Sequence, residues 1–220
     1  MNDVKDFTTV RIRFSKTGRA RYISHLDLNR TMTRAVRRAG LPIWYTEGFN
    51  KHPYLTFASP LSLGFEGERE TMDLRLAGEM ALPELAERLN ATMPEGLCIL
   101  DAAPAVKKAG EVAYAVYRLS LGCPIAAVNE LLAKPSITAV KRTKKKELVT
   151  VELKPVLEAA QSAIAETESG TQWELTLPCS SEQSFNPSLV VAALREQQGA
   201  AIPCTVRRLR VLARDGSEFA

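Results

Sequence analysis

Two histidines, four arginines at helical spacing and a loop crowded with aromatic side chains fall within residues 19–64 of a 220-residue chain. His25 and His52 are its only two histidines, and an imidazole titrates close enough to neutral pH to act as a general acid or base. Arg30, Arg34, Arg37 and Arg38 recur on one side of a helix. A guanidinium there can donate two parallel hydrogen bonds to a phosphate or carboxylate, a geometry lysine cannot match. Tyr45, Phe49, His52 and Tyr54 offer ring faces on which a base or other flat ligand can stack. Asn50 and Lys51 sit among them, and Arg11, Arg13, Lys16, Arg19 and Arg21 extend the basic surface. The set suits an anionic or planar partner. Each part also has a structural alternative: His25 hydrogen-bonded at a helix start, His52 in a plain turn, arginines on a solvated face, rings plugging a sheet edge.

Charge accounting favours the partner. Residues 1–64 carry eleven Lys/Arg against four Asp/Glu, residues 65–110 five against nine, and residues 111–220 thirteen against twelve. The net +4 thus hides a strongly basic first segment, which raises the encounter rate and affinity for polyanions such as nucleic acid. A second basic run, Lys141-Arg142-Thr143-Lys144-Lys145-Lys146, reads as a solvated hairpin tip or a secondary phosphate contact.

Other chemistries are disfavoured. Cys98, Cys123, Cys179 and Cys204 are too dispersed for a zinc ribbon, a redox motif or an iron–sulfur cluster and are expected to be buried free thiols. Two histidines without a carboxylate pair or cysteine nearby make a poor transition-metal site, and no cofactor is expected. Phosphate loops, nucleophile elbows and H-E-x-x-H are absent. No apolar run approaches the ~20 residues that span a bilayer. The polar start Met-Asn-Asp-Val-Lys-Asp is unlike a signal or transit peptide. A cytoplasmic protein that does not engage membranes is the expectation.

The elements that must position these residues follow from periodicity. Val10, Ile12 and Phe14 alternate with Arg11 and Arg13, as in a half-exposed strand. Ser24 is a good N-cap with Asp27 three residues on. Behind it Leu28, Met32, Ala35, Val36 and Ala39 share one helical face opposite the arginines, with His25 placed by phase on the apolar side. Gly40 ends that helix. Strands are predicted at Ile43–Tyr45, Leu55–Ala58, Thr71–Leu76 and Leu97–Leu100, with a helix at Pro83–Asn90. Apart from one additional short extended segment, the order is that of a βαββαβ unit.

The stretch Ala102–Glu111 has a small, charged, Gly/Pro-containing composition and reads as a linker at 105–111. A second, weaker copy follows. It has a strand at Tyr114–Leu121, a helix at Ile125–Ala133 and a hairpin of Ile137–Val140 with Leu148–Leu153. A short helix is predicted at Pro155–Ile164, a strand at Trp173–Leu177, a helix from Asn186 and Pro187, and a strand at Thr205–Leu212. The predicted fold is α+β: two tandem ferredoxin-like βαββαβ units with antiparallel sheets, over 1–104 and 112–220.

The run R-Y-I-S-H-L-D-L-x-R, then R-A-x-R-R-A-G-L-P, then G-F-N-x-H-P-x-L-x-F-A-x-P-L-x-x-G resembles the bacterial family called radical SAM-linked proteins, a domain of unknown function. The likeness covers residues 10–76 closely. It thins over the second half to Val151-Glu152-Leu153-Lys154-Pro155 and the helix opened by Asn186-Pro187. Members of that family are encoded beside, or fused to, a radical SAM protein with a cobalamin-binding-like region, often near genes for a ribonuclease and ribosomal proteins. The resemblance implies a partner subunit or domain of that enzyme and assigns no catalytic residue. Where the family commonly has G-F-N-P-H-P, this chain has Lys51, which adds charge to the loop.

The leading expectation is a non-catalytic accessory protein that binds RNA or a ribonucleoprotein. Arg21, His25, Arg30, Arg34, Arg37, Arg38, Tyr45, Phe49, Asn50, Lys51 and His52 would form its contact surface. Two alternatives stand beside it. One is a metal-independent endoribonuclease resembling CRISPR repeat-processing proteins, with His25 or His52 as base. The other is a purely protein-binding module.

Overall fold

The alternation begun at Val10 runs further than its apolar residues alone predict. In the computed structural model, which describes residues 7–142, 146–180 and 182–219, strand β1 spans Thr8–Lys16. The acidic start Met1–Asp6 and the residues Thr143, Lys144 and Lys145 of the basic run lie outside the described residues. The architecture is α+β, with antiparallel strands and five α-helices among the described residues. Two compact units emerge, Met1–Ala113 with Arg208–Ala220, and Tyr114–Arg207. No helix of the described residues is long and apolar enough to cross a membrane.

In the first unit β1 leads through a 3-10 turn (Gly18–Tyr22) into α1 (His25–Arg38). Strand β2 (Leu55–Thr56), β3 (Glu66–Leu76), α2 (Leu82–Asn90) and β4 (Leu97–Pro104) follow. Strand β1 lies between β3 and β4, antiparallel to both, with Ile12 opposite Met72 on one side and Ala102 on the other; β2 pairs with β3. Period two puts Val10, Ile12, Phe14, Met72, Leu74 and Leu76 on one face. There they pack with Leu28, Met32, Ala35 and Val36 of α1 and Leu85 and Leu89 of α2, the apolar stripes of two amphipathic helices. The opposite face carries charge: Arg11 chelates Asp73 through Nε and Nη2 at 2.7 and 2.9 Å, and Arg13 holds Asp101 with two bonds of 2.6 Å. Arg11 is fully buried because Phe219 lies over its guanidinium, 3.9 Å from ring centroid to Cζ.

The second unit contains most of β5 (Val112–Leu121), then α3 (Ile125–Ala133), β6 (Thr138–Arg142), β7 (Leu148–Glu152), α4 (Lys154–Ala159), β8 (Ser162–Thr167), β9 (Gly170–Pro178) and α5 (Ser188–Gln198). Strand β9 lies between β5 and β8, antiparallel to both. Its inward residues Trp173, Leu175 and Leu177 are fully buried.

Five expectations change. Ile43–Tyr45 forms isolated pairings, Ile43 with Leu76 and Tyr45 with Pro53, rather than a strand, because Pro53 has no N–H to extend a ladder. The hairpin expected to supply the middle strands of the second unit is instead a separate two-stranded sheet of β6 and β7. The strand beside β9 is β8, whose first three residues, 162–164, fall in the stretch that read as helix. Only Ile164 of β8 is partly buried, so the strand lacks the apolar alternation that signals one. Gly170 makes its tight turn possible, since a Cβ there would stand 2.2 Å from the Leu121 carbonyl oxygen. The stretch 105–111 is held rather than loose, because Ala105 N–H donates to Thr9 O and Arg11 Nη2 to Lys107 O.

The fifth change concerns the C-terminus. The last strand, β10 (Cys204–Ala213), ends in the first unit, and residues 208–219 fold with that unit rather than with Tyr114–Arg207. A buried ion pair accounts for this: Arg208 donates to both carboxylate oxygens of Glu70, with Nε–Oε1 at 2.9 Å. It also donates to Ser59 Oγ at 2.9 Å and Ser59 O at 2.5 Å.

Removing one partner of a buried pair strands a charge and typically costs about 3–5 kcal/mol. Glu70→Ala is therefore expected to lower the unfolding free energy in urea by that order. Arg208→Met with Glu70→Leu should lose much less. Equal losses in the single and double variants would show that the pair is not what holds β10 to β3.

Candidate nucleic-acid interface

The arginine face is fixed by the start of α1. Ser24 has extended backbone, and its hydroxyl oxygen accepts the Asp27 N–H at 3.1 Å, satisfying one of the orphan donors of the first turn. The same hydroxyl donates to Asp27 Oδ2 at 2.7 Å. Since Leu28, Met32, Ala35 and Val36 are buried, Arg30, Arg34, Arg37 and Arg38 are turned outward and all four are exposed. They differ in what they already hold. Arg30 pairs with Asp27 at 3.3 Å across one exposed turn, which is worth little in water. Arg38 donates to the Thr92 carbonyl at 2.9 Å. Arg34 and Arg37 form no ion pair among the described residues. Leu26, exposed one turn before Arg30, continues this face.

The N-terminal end of α1 meets the loop between β2 and β3. Gly64 N–H donates to Arg21 O at 2.8 Å, Arg21 pairs with Glu66 at 3.7 Å, and the His25 ring stands edge-on to Phe57 at 5.1 Å. His25 is exposed rather than inside the apolar stripe: at the first helical turn its phase points toward this loop and not into the core. Arg21 also stacks on Tyr22 at 4.8 Å and bonds its hydroxyl at 2.7 Å. Residues far apart in the resemblance motif thus converge here.

Beneath this contact lies a charged cluster that the sequence reading missed. Lys16 is buried and its ammonium donates to Arg21 O at 3.2 Å. Burial pushes its pKa below the ordinary lysine value; Glu70 acts the other way and Arg208 adds to the lowering. Glu66 accepts from Gly18 N–H at 3.1 Å. Gly67 leaves room for the Glu70 side chain, which would lie 2.5 Å from a Cβ there. A signal existed: Lys16 continues the inward phase of Val10, Ile12 and Phe14, and Glu70 precedes Met72, Leu74 and Leu76 in theirs. Opposite charges at inward positions of neighbouring strands point to a buried pair.

The loop at 45–54 is built separately. Thr46 N–H donates to His52 O at 2.9 Å and His52 N–H to Thr46 Oγ1 at 3.2 Å. His52 Nδ1 lies 2.9 Å from Asn50 O and 3.1 Å from Thr46 Oγ1. Gly48 supplies the left-handed turn at φ +105°. Tyr45, Phe49, Asn50, Lys51 and His52 are all exposed, Phe49 completely. Tyr54 is not available for stacking: it lies 3.8 Å from the Arg75 guanidinium, which Phe7 covers at 3.9 Å. Among the described residues no hydrogen bond, ion pair or ring contact joins this loop to the α1 arginines.

The cysteines complete the inventory. Cys98 is exposed, against expectation, because it takes an outward position of β4 between buried Leu97 and Ile99. Burial pushes the Cys204 thiol up to about 11, so it is protonated at neutral pH.

Residues 9–187 match a family described as an uncharacterized protein conserved in bacteria (DUF2344). No curated protein matches the chain.

The helix start gives a direct check. Ser24→Ala is expected to cost about 1 kcal/mol near neutral pH. Asp27 is held below the ordinary carboxylate range, chiefly by the Ser24 hydroxyl and further by Arg30. A depressed pKa contributes stability above the unfolded value, ~4, and loses it as pH falls through the folded one. The stability gap between wild type and Asp27→Asn, from urea unfolding, should therefore close below about pH 4. A gap that persists at pH 2 would contradict this.

Proposed function

The chain belongs to that family of bacterial proteins, and on that premise we propose that it is an accessory protein that binds RNA or a ribonucleoprotein and presents it to a radical SAM enzyme. The observation that carries the reading is the outward face of α1. Four arginines stand exposed within three helical turns, and two of them, Arg34 and Arg37, form no ion pair among the described residues. A solvated helix face would ordinarily intersperse acids, and here Asp27 is the sole acid, already engaged by Ser24. Arg30, Arg34 and Arg37 take backbone phosphates; Arg38 shares its guanidinium with Thr92 O. Arg21 and His25 extend the surface past the helix start. Phe49, Asn50, Lys51, His52 and Tyr45 form a second contact, where the exposed Phe49 ring can stack on a base. The radical enzyme enters through the resemblance of Arg21–Arg30 and Gly48–Gly64 to radical SAM-linked proteins, with a radical SAM protein carrying a cobalamin-binding-like region as partner.

Affinity for a fluorescent oligoribonucleotide, measured by anisotropy, tests the reading. Arg34→Glu with Arg37→Glu removes two phosphate contacts and should weaken binding by about tenfold or more at low salt. Unchanged binding would end the proposal. Cleavage of the oligonucleotide that survives a chelator and disappears in His25→Ala or His52→Ala would replace it with the endoribonuclease reading.

A further inference from the structure

The hairpin of β6 and β7 has no place in the surface described so far, and its two ends are built differently. Its root is anchored. Ile137, Ala139 and Leu153 are buried, Leu153 N–H donates to Ile137 O at 2.7 Å, and Glu152 accepts from the Ser136 hydroxyl, Ile137 N–H at 2.8 Å and Lys154 N–H at 3.1 Å. Its outer half stands in water with large apolar side chains uncovered: Val140 is 57% exposed, Leu148 74% and Val149 44%. The register places Lys141 opposite Val149 and Arg142 opposite Leu148. Cross-strand partners share a face, so each face of the ribbon presents an exposed cation beside an exposed aliphatic side chain.

We infer that the outer half of this hairpin is a second RNA-backbone contact, in which Lys141, Arg142 and Lys146 bind phosphates while Val140, Leu148 and Val149 lie against the sugars. The inference rests on the RNA-binding reading above. An isolated two-stranded ribbon is marginal in water, and exposed apolar groups clustered on one mark a surface that something covers. The balance of charge selects the occupant: beside the single exposed acid Glu147, the described outer half carries the exposed cations Lys141, Arg142 and Lys146, and that cationic excess suits a polyanion. Lysines on a free sheet edge also deter aggregation, but that role does not explain Lys146. Its φ of +68° lies in the left-handed region where glycine or asparagine is the favoured residue, so a lysine stands where the backbone disfavours it. The ribbon's described residues include no aromatic ring to stack on a base. The contact therefore reads phosphate and sugar, independent of sequence and strongly dependent on salt.

The test is the salt dependence of binding to a uridine oligomer of about 20 nucleotides, long enough for several phosphate contacts. Lys141→Ser, Arg142→Ser and Lys146→Gly are combined in the full chain. The replaced side chains are exposed, and glycine suits the conformation of residue 146, so the thermal unfolding midpoint should not fall. Each phosphate contact on a single strand contributes about 0.7 to the slope of log K against log salt. The triple variant should lose about 2 from that slope. Lys141→Gln with Arg142→Gln, which leaves the turn untouched, should lose about 1.4. Unchanged slopes in both variants, with binding still sensitive to Arg34→Glu and Arg37→Glu, would overturn the hairpin inference and leave the α1 reading standing. Absence of binding by the unaltered chain would overturn both.

Discussion

A carboxylate, a guanidinium and an ammonium are buried together where β1 ends and β3 begins, and the first unit is organised around keeping them satisfied. Each ion alone would cost several kcal/mol to desolvate. Glu70 and Arg208 answer each other with two bonds, and Arg208 spends further donors on Ser59. Lys16 turns its ammonium to Arg21 O. The consequences are directional. Arg208 can be satisfied only if the C-terminal half of β10 returns to β3. Ser59 is reached only if the loop after β2 folds over the pair. The bond from Lys16 fixes the carbonyl of the residue that leads into α1. A hydrophobic cluster could supply comparable stability, but it would not dictate which loop atom sits where.

Surface chemistry is arranged on that frame with little waste of charge. On the outer face of the β1–β3–β4 strands, Arg11 and Arg13 are consumed by Asp73 and Asp101. Arg75 is enclosed by Phe7 and Tyr54. Basic residues that looked interchangeable in the sequence thus separate into those spent on the fold and those left in water. The α1 arginines belong to the second kind, as do Lys141, Arg142 and Lys146. This sorting separates the basic residues that hold the fold from those that stand exposed.

What the sequence disclosed, and what it hid, follow from the range of the interactions concerned. Helix α1, its Ser24 cap, its buried stripe and its outward arginines were legible because cap and period are properties of a few neighbouring residues. The turn in the 45–54 loop is likewise local, resting on the positive φ of Gly48. Strand β8 was not, since an edge strand with one partly buried residue carries no alternation, and Pro155 suggested a longer helix than the six residues Lys154–Ala159 that form it. The return of β10 was equally hidden. It depends on Arg208 meeting Glu70 across 138 positions, and no local pattern reports such a pairing. The clue lay in phase: Lys16 and Glu70 are charges at inward strand positions, where an apolar residue would otherwise stand. The availability of aromatics was also misread in part, because whether Tyr54 faces a ligand or an internal guanidinium is decided by Arg75 on another strand.

The proposal on which the others depend is that a nucleic-acid strand lies along the outward face of α1. Ultraviolet crosslinking of the full chain to a 4-thiouridine oligonucleotide, followed by mapping of the modified peptides, tests it most directly. Crosslinks should concentrate in the segment from Arg21 to Arg38, with further ones at Tyr45–His52. Crosslinks confined to the outer sheet face around Arg13, Arg75 and Asp101, or absent while binding persists, would contradict it.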